Sequence, residues 1–457
     1  MHAAPLTPPD RMTNAAARQG AMVAVIFTLV AIRLATVRPL WLDEILQLLL
    51  TTQTTASAML REIPTSLGAS PLGYLIQQAS LKLTGYSILT ARLPEILFAG
   101  ASVFTVALLA EQLGQKRPWI AATLFALFPL TLRYADESRL YAPALFFSVL
   151  STSFYVRTSI QPNKVAALVY TVILIAAVYT QPYSAIIGLA HVVWSLTNND
   201  RRAAFRGAIA LSIAIITYLP WFLWSKSIWT AVIRQQQVIF TFSPKTLVMI
   251  VREAIGASYW GSGLILLLCW LAIRHHSIGR SPKILLSLLI AVPMIVGLAA
   301  DAWLGYFVAI RQFIWILPAL ALFAAAGVES KRPSALLLAA LLVPVCVWQS
   351  YKYFTSRAED WQGVAAVAKQ NTGEDGCFLG VPADHLKYYA FFEPSLKTKN
   401  CGAQTRRVVL AFSPYTTERE GAAALNELAS RGYSIEKRGK VGSFSIVTLS
   451  IAAMVRP

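Results

Sequence analysis

The feature that most constrains this chain is a series of apolar runs that begins near residue 20 and keeps returning until about residue 350. Eleven candidate spans fall at about 20–37, 91–113, 118–132, 139–156, 165–180, 183–197, 207–224, 255–273, 284–300, 306–327 and 334–350. A helix needs about 20 apolar residues to cross the hydrocarbon core of a bilayer. Inside that core each backbone polar group must be satisfied within its own segment, so such runs fold as helices. Composition points the same way. Of the 457 residues, 56% are apolar and only 14% are charged, against about 25% charged in a soluble domain. The expected fold class is an α-helical polytopic membrane protein with about 11 transmembrane helices.

The formal charge of +18 invites a nucleic-acid partner, but the distribution of the charge argues against one. Basic residues gather in short loops between the apolar runs. They are Arg11 and Arg18, Lys116 and Arg117, Arg157 and Lys164, Arg201, Arg202 and Arg206, Arg274 to Lys283, and Lys331 and Arg332. With eleven spans and a cytoplasmic N-terminus, all of these loops fall on the cytoplasmic side, as the positive-inside rule requires. Residues 1–19 then form a cytoplasmic segment without a cleavable-signal pattern. Residues 20–355 form the membrane domain, and a multi-pass protein of the bacterial inner membrane is expected.

The same topology sends residues 38–90 and 225–254 outward as long loops. In the first, "ILQLLLTTQTTASAML" and "PLGYLIQQASLKLTG" read as amphipathic helices lying along the membrane surface; the alternative, a true span for the second, would turn the later basic loops outward. After about residue 356 membrane character is lost. "DWQGVAAVAKQ" and "EGAAALNELASRG" have helical periodicity, while "CFLGV", "RRVVLAF" and "FSIVTLSI" are strand-like. Residues 356–457 are expected to form a small periplasmic α/β domain. Cys377 and Cys401 fall within it, where an oxidising compartment allows a disulfide. Cys269 and Cys346 lie in spans, and no Cys/His spacing resembles a zinc site.

Acids are scarce enough to be informative. Residues 1–356 hold 12 Asp and Glu, and the topology puts eight on the outer side. Two adjacent pairs abut apolar runs: Asp43 and Glu44 in "RPLWLDEILQLLL", and Asp136 and Glu137 in "LRYADESRLYAP". Charge so close to hydrocarbon is costly unless it is wet, paired or functional. Each pair could simply suit the positive end of a helix. They share a face with Arg92, Arg133, Arg139 and Arg311. Arg311 lies inside "GYFVAIRQFIWILPALALF", where it can snorkel or hold an anion at the membrane surface.

The ordered stretches "PLWLDEI", "SPLGYLIQQASLKLTGYSILTARLPEILFAG" and "YADESRLYAPAL" resemble the dolichyl-phosphate-mannose–protein mannosyltransferase-like glycosyltransferases of the GT-C class. The likeness covers residues 20–200 best. "RQFIWILPALALFAAAG" resembles a late Arg-bearing span of that family, and "AEDWQGVAAVAK" resembles the start of its extracytoplasmic tail. The resemblance implies a sugar donor carried on a polyprenyl phosphate. It implies transfer at the outer face to a glycolipid, polysaccharide or protein acceptor. The family's acidic pair falls on Asp43 and Glu44, with Asp43 the candidate for the catalytic acid position. Its second motif falls on Glu137, Ser138, Arg139, Leu140 and Tyr141, and its Arg-Leu-Pro element on Arg92, Leu93 and Pro94. Two histidines of many members are replaced. The first lies in the Ala69-Ser70-Pro71 stretch, and the second position is Gln181.

These residues compose a coherent chemistry. A sugar leaving a lipid phosphate needs the growing phosphate charge stabilised, which guanidinium groups do well. Arg92, Arg139 and Arg311 are the candidates. The incoming hydroxyl needs a carboxylate to take its proton, for which Asp43, Glu44 and Glu137 are the candidates. Tyr134, Tyr141, Gln181 and Tyr183 are the candidate substrate-binding residues. Whether Asp43 and Glu44 also hold Mg²⁺ or Mn²⁺ stays open. A lipid donor explains why acids sit against a hydrophobic wall among membrane lipids. A transporter or flippase, and an inactive subunit of a glycan-assembly complex, are the competing expectations. Against transport, no internal repeat is visible and the acids lie at span ends rather than at the midplane.

Overall fold

The computed structural model describes residues 14–66, 70–236, 244–253, 257–275, 278–304, 310–330, 332–356, 359–373, 376–397 and 405–451. It contains two compact units. One comprises Met1–Ala35 and Leu50–Phe354, the other Thr36–Leu49 and Thr355–Pro457.

The helices in chain order are α1 (Asn14–Leu34), α2 (Leu42–Thr51), α3 (Ala56–Glu62), α4 (Pro71–Thr84), α5 (Ile88–Gln112), α6 (Pro118–Leu127) and α7 (Pro129–Ala135). They continue with α8 (Tyr141–Ile160), α9 (Lys164–Thr180), α10 (Ala185–Thr197), α11 (Arg201–Gln236), α12 (Pro244–Val251) and α13 (Tyr259–Arg274). Then come α14 (Arg280–Leu304), α15 (Leu317–Glu329), α16 (Pro333–Thr355), α17 (Trp361–Thr372), α18 (Leu386–Phe392) and α19 (Glu418–Ser430). A helix lies at each of the eleven predicted spans.

In the first unit α5 is central and packs against α1, α6 and α8, while α9 joins α8 to α11. Five helices among the described residues are long and apolar enough to cross a membrane: Ala15–Leu34, Ile88–Gln112, Arg201–Lys226, Arg280–Ala299 and Pro333–Thr355. Shorter apolar helices accompany them, among them Pro118–Leu127 and Lys164–Thr180. Some shortening has a local cause. Pro129 separates α6 from α7, and Pro318 stands at the start of α15, behind a 3₁₀ turn over Ile310–Ile316. Proline at a first helical position starts a new helix rather than continuing the old one. The chain is a multi-pass membrane protein.

One detail departs from the sequence expectation and one adds to it. α11 runs on to Gln236, well past residue 224, with Pro220 in its interior. Helix therefore enters the segment expected as an outer loop. α4 forms as expected, but its two glutamines point inward. Gln77 and Gln78 are buried, whereas Leu83 is 87% exposed. The two amides donate to the carbonyls of Ala91 and Gln53, each at 3.0 Å. At 14 residues, α4 is about 21 Å long, too short to cross the core.

The second unit carries a four-stranded sheet of β1 (Gly376–Val381), β2 (Arg407–Phe412), β3 (Tyr433–Val441) and β4 (Phe444–Ile451), in the order β1-β2-β4-β3. β1 and β2 are parallel, and the other pairs are antiparallel. Its core joins Val408, Leu410, Val447 and Leu449 to Leu428 of α19. The β3 edge is charged and almost wholly exposed, which discourages further strand pairing. Cys377 is disulfide-bonded. Cys401 lies outside the described residues, and Cys269 and Cys346 are buried free thiols.

Candidate active site

The second motif is an internal knot of the membrane unit, and each of its residues has a reason. Arg92, on the second turn of α5, is 1% exposed. Its Nη1 lies 3.5 Å from Asp136 Oδ1 and donates to the carbonyl of Ala35, just beyond α1. Glu137 Oε1 accepts from Arg133 Nε at 2.8 Å and from the Tyr353 hydroxyl at 3.2 Å. The Arg133 guanidinium also lies 5.1 Å from the centre of the Tyr353 ring, a cation–π distance. Ser138 donates to Ala91 O at 2.8 Å and accepts from Gln77, tying α4 to α5. Leu140 packs with Met59, Ile63 and Tyr74. A Cβ on Gly73 would collide with Leu140, so the glycine of "PLGY" permits that approach.

Arg139 is disposed differently. It is half-buried. Its Nη2 donates to the Tyr141 hydroxyl at 3.2 Å, and its guanidinium lies 5.6 Å from the centre of the same ring. Tyr141 in turn contacts Tyr134, with ring centres 4.9 Å apart. Both tyrosines are buried. Tyr183, at the corner between α9 and α10, stacks on Trp315 with centres 6.1 Å apart and planes 22° apart. Trp315 belongs to the same 3₁₀ turn as Arg311, and that turn packs on α8. The side chain of Arg311 lies outside the described residues. Gln181 is the C-cap of α9, its backbone N–H donating to Ala177 O at 2.8 Å.

Asp43 and Glu44 belong to the other unit, on the first turn of α2. Glu44 is 0% exposed and accepts the backbone N–H of Trp41 at 3.2 Å. That is the return arm of a capping box, in which a third-position acid bonds the residue before the helix. Asp43 is half-buried. The same unit brings in residues that sequence spacing did not single out. Glu359 accepts hydrogen bonds from Leu42 N–H, the Trp361 indole and the Tyr415 hydroxyl. Burial, then the charges of Asp384 and Asp43, pushes the Tyr388 hydroxyl up to about 12. The sequence did hold one signal, since Glu359 and Trp361 stand in the "AEDWQG" stretch of the tail resemblance.

The fold matches solved structures over nearly its whole length. ArnT from Cupriavidus metallidurans in the apo state superposes with a TM-score of 0.61 at 14% identity, covering 96% of this chain and 98% of ArnT. The chain has the GT-C fold. ArnT bound to undecaprenyl phosphate gives a TM-score of 0.60 with the same coverage. The archaeal oligosaccharyltransferase AglB from Archaeoglobus fulgidus, in complex with an inhibitory peptide and a dolichol-phosphate, gives 0.52 at 12% identity over 96% of this chain and 75% of AglB. No family model and no curated protein matches the sequence.

The residues at the two positions where the resemblance expects histidine have local roles. Ser70 is fully buried, 3.0 Å from the Tyr218 hydroxyl, and Gln181 ends α9. Among the described residues no group of three or more His, Cys, Asp or Glu is placed to hold a metal ion. Glu44 turns one carboxylate oxygen back to the Trp41 N–H.

Proposed function

We propose that this chain is a glycosyltransferase of the bacterial inner membrane. It takes a hexosyl or pentosyl group from a polyprenyl-phosphate donor and passes it to a hydroxyl acceptor at the outer face. The N-terminus is cytoplasmic and the tail periplasmic in this proposal. The observation that carries it is the sorting of charge in the two motifs. Glu44, Asp136, Glu137 and Arg92 are buried, whereas Asp43 and Arg139 keep partial exposure. Arg133, the other partly exposed guanidinium of the second stretch, is already paired with Glu137, so Asp43 in its unit and Arg139 in the other are the groups this reading gives to substrate. The GT-C fold supports the class, and the undecaprenyl phosphate of the ArnT complex supports the donor.

Asp43 acts as base on the acceptor. As the acceptor oxygen bonds the anomeric carbon, its proton passes to the Asp43 carboxylate. The bond from that carbon to the phosphate oxygen breaks, and its electron pair leaves on the polyprenyl phosphate. That phosphate is a weak base and needs no proton. Arg139 and Arg311 hold its charge. Arg92 acts behind them through Asp136. Glu137 holds Arg133, and Glu44 holds the helix that presents Asp43. Tyr134 and Tyr141 support Arg139. Gln181 and Tyr183 face substrate from the α9–α10 corner. A single displacement inverts the anomeric configuration.

The test supplies purified protein in nanodiscs with undecaprenyl phosphate carrying a hexose or a pentose, together with lipid and polysaccharide acceptors. Release of undecaprenyl phosphate with an inverted product is expected. A donor that is moved across the bilayer but never cleaved overturns the proposal in favour of transport.

A further inference from the structure

Glu359 stands two residues before α17, and its carboxylate gathers three parts of the tail unit. Oε2 accepts the backbone N–H of Leu42 and the indole N–H of Trp361, both at 3.0 Å. Oε1 accepts the Tyr415 hydroxyl at 2.5 Å. Leu42 is the first residue of α2. Its N–H is one of the donors that every helix start leaves without an intrahelical partner, and the next residue is Asp43. A negative charge at that point also suits the helix dipole.

The other side of the clamp is rigidly packed. Trp361 is fully buried and has the rings of His385, Tyr388, Tyr389 and Phe444 around it at 4.8–5.5 Å. Tyr415 adds a second anchor. Its hydroxyl is pushed above the ordinary phenol range by burial first, then by its bond to Glu359 and the charges of Glu359 and Asp43. Both acids therefore act on the same phenol.

We infer that Glu359 is a positioning residue for Asp43: it fastens the first turn of α2 to the α/β body of the tail and so fixes where the reacting carboxylate points. This rests on the assignment of Asp43 as base. Glutamine is the informative replacement. Its amide oxygen can accept from Leu42 and Trp361, and its amide nitrogen can donate to the Tyr415 oxygen. Alanine removes all three bonds.

The experiment uses the full chain in nanodiscs and has two readouts. The first is amide hydrogen exchange over residues 42–45, which needs no substrate. Exchange is expected to quicken in Glu359→Ala and to return toward wild type in Glu359→Gln. The second is steady-state turnover of the undecaprenyl-phosphate sugar consumed in the assay above, with undecaprenyl phosphate as the binding probe. Displacing a reacting group by ~1 Å costs about 10²-fold in rate. Glu359→Ala is therefore expected to lower kcat by roughly 10- to 100-fold, with undecaprenyl phosphate affinity within about twofold of wild type. Glu359→Gln should recover most of kcat. In an Asp43→Asn background Glu359→Ala should cost nothing more, because the two act as one unit.

Unchanged exchange at 42–45, unchanged kcat in Glu359→Ala, or a full additional loss in the Asp43→Asn background overturns the inference. If Glu359→Ala does not fold, Tyr415→Phe replaces it. That variant must then show a smaller change of the same kind in exchange and in kcat, and wild-type values overturn the inference. Asp43→Asn with full turnover overturns the base assignment instead. The two failures are thereby distinguished.

Discussion

Residues 1–356 carry two adjacent acid pairs, and the fold holds them in opposite ways. Asp136 and Glu137 are buried in the membrane unit and matched to cations, Arg92 and Arg133. Asp43 and Glu44 sit on a helix start, where Glu44 turns inward to backbone and Asp43 stays partly exposed. Buried ion pairs add little net stability, yet breaking one by removing a partner is expensive. The Asp136 pair thus resembles a lock and the Asp43 pair a presented group. Similar dipeptides in sequence therefore have different consequences when changed.

The sharpest way to break this comparison is to neutralise each pair in turn. Asp43→Asn keeps shape and removes the base, so single-turnover rate should fall by about 10² to 10⁴. Undecaprenyl phosphate binding and melting temperature should hold. Full turnover in this variant removes Asp43 from the chemistry. Asp136→Ala should act on stability instead, leaving Arg92 buried without its carboxylate at a cost of about 3–5 kcal/mol. Thermal unfolding in detergent measures it. Replacing Arg92 with Met and Asp136 with Leu together should restore much of the loss, and a double variant no better than Asp136→Ala removes the lock interpretation.

A third contrast lies among the arginines. Arg139 and Arg311 are assigned to the donor phosphate, whereas Arg92 is enclosed. A hydrogen bond to a charged group contributes about 1.5–3 kcal/mol, so Arg139→Ala or Arg311→Ala should weaken undecaprenyl phosphate binding by roughly 10- to 100-fold. Lysine at either place should rescue only part, because a point charge lacks the guanidinium fork. Wild-type affinity in both alanine variants moves the phosphate elsewhere.

Much of this architecture was legible because membrane helices advertise themselves by length and hydropathy. Each of the eleven runs holds a helix among the described residues, and the strands "CFLGV", "RRVVLAF" and "FSIVTLSI" became β1, β2 and β4. β3 was not legible. "YSIEKRGKV" has no apolar alternation, because an exposed edge strand buries neither face. The partners of the α4 glutamines were not legible either, because they are the carbonyls of Ala91 and Gln53, which no local pattern reveals. Scarcity of acids located Asp43 and Glu44, and the resemblance ranked Asp43 ahead of its neighbour. Only the cap geometry gave a physical reason to separate them. Glu359 was beyond reach in that sense, since its bond to Leu42 spans 317 positions.

The smallest expected effect tests the finest distinction, that between two neighbouring acids. Glu44 supplies the return arm of a capping box and a charge at the positive end of α2. Losing a cap costs about 1 kcal/mol, and losing a favourable dipole interaction about 0.3–1 kcal/mol. Glu44→Ala should therefore lower the melting temperature modestly and reduce turnover only as far as the helix start loosens. Glu44→Gln keeps an oxygen for the Trp41 N–H and should lose less on both measures. The decisive quantity is the single-turnover rate of Glu44→Gln beside that of Asp43→Asn. If the presented acid alone does the chemistry, the Glu44→Gln rate stays within a few-fold of wild type while the Asp43→Asn rate falls by orders of magnitude. Equal falls, with helix α2 intact by amide exchange, would mean that the two carboxylates share the proton transfer and that the capping assignment for Glu44 is incomplete.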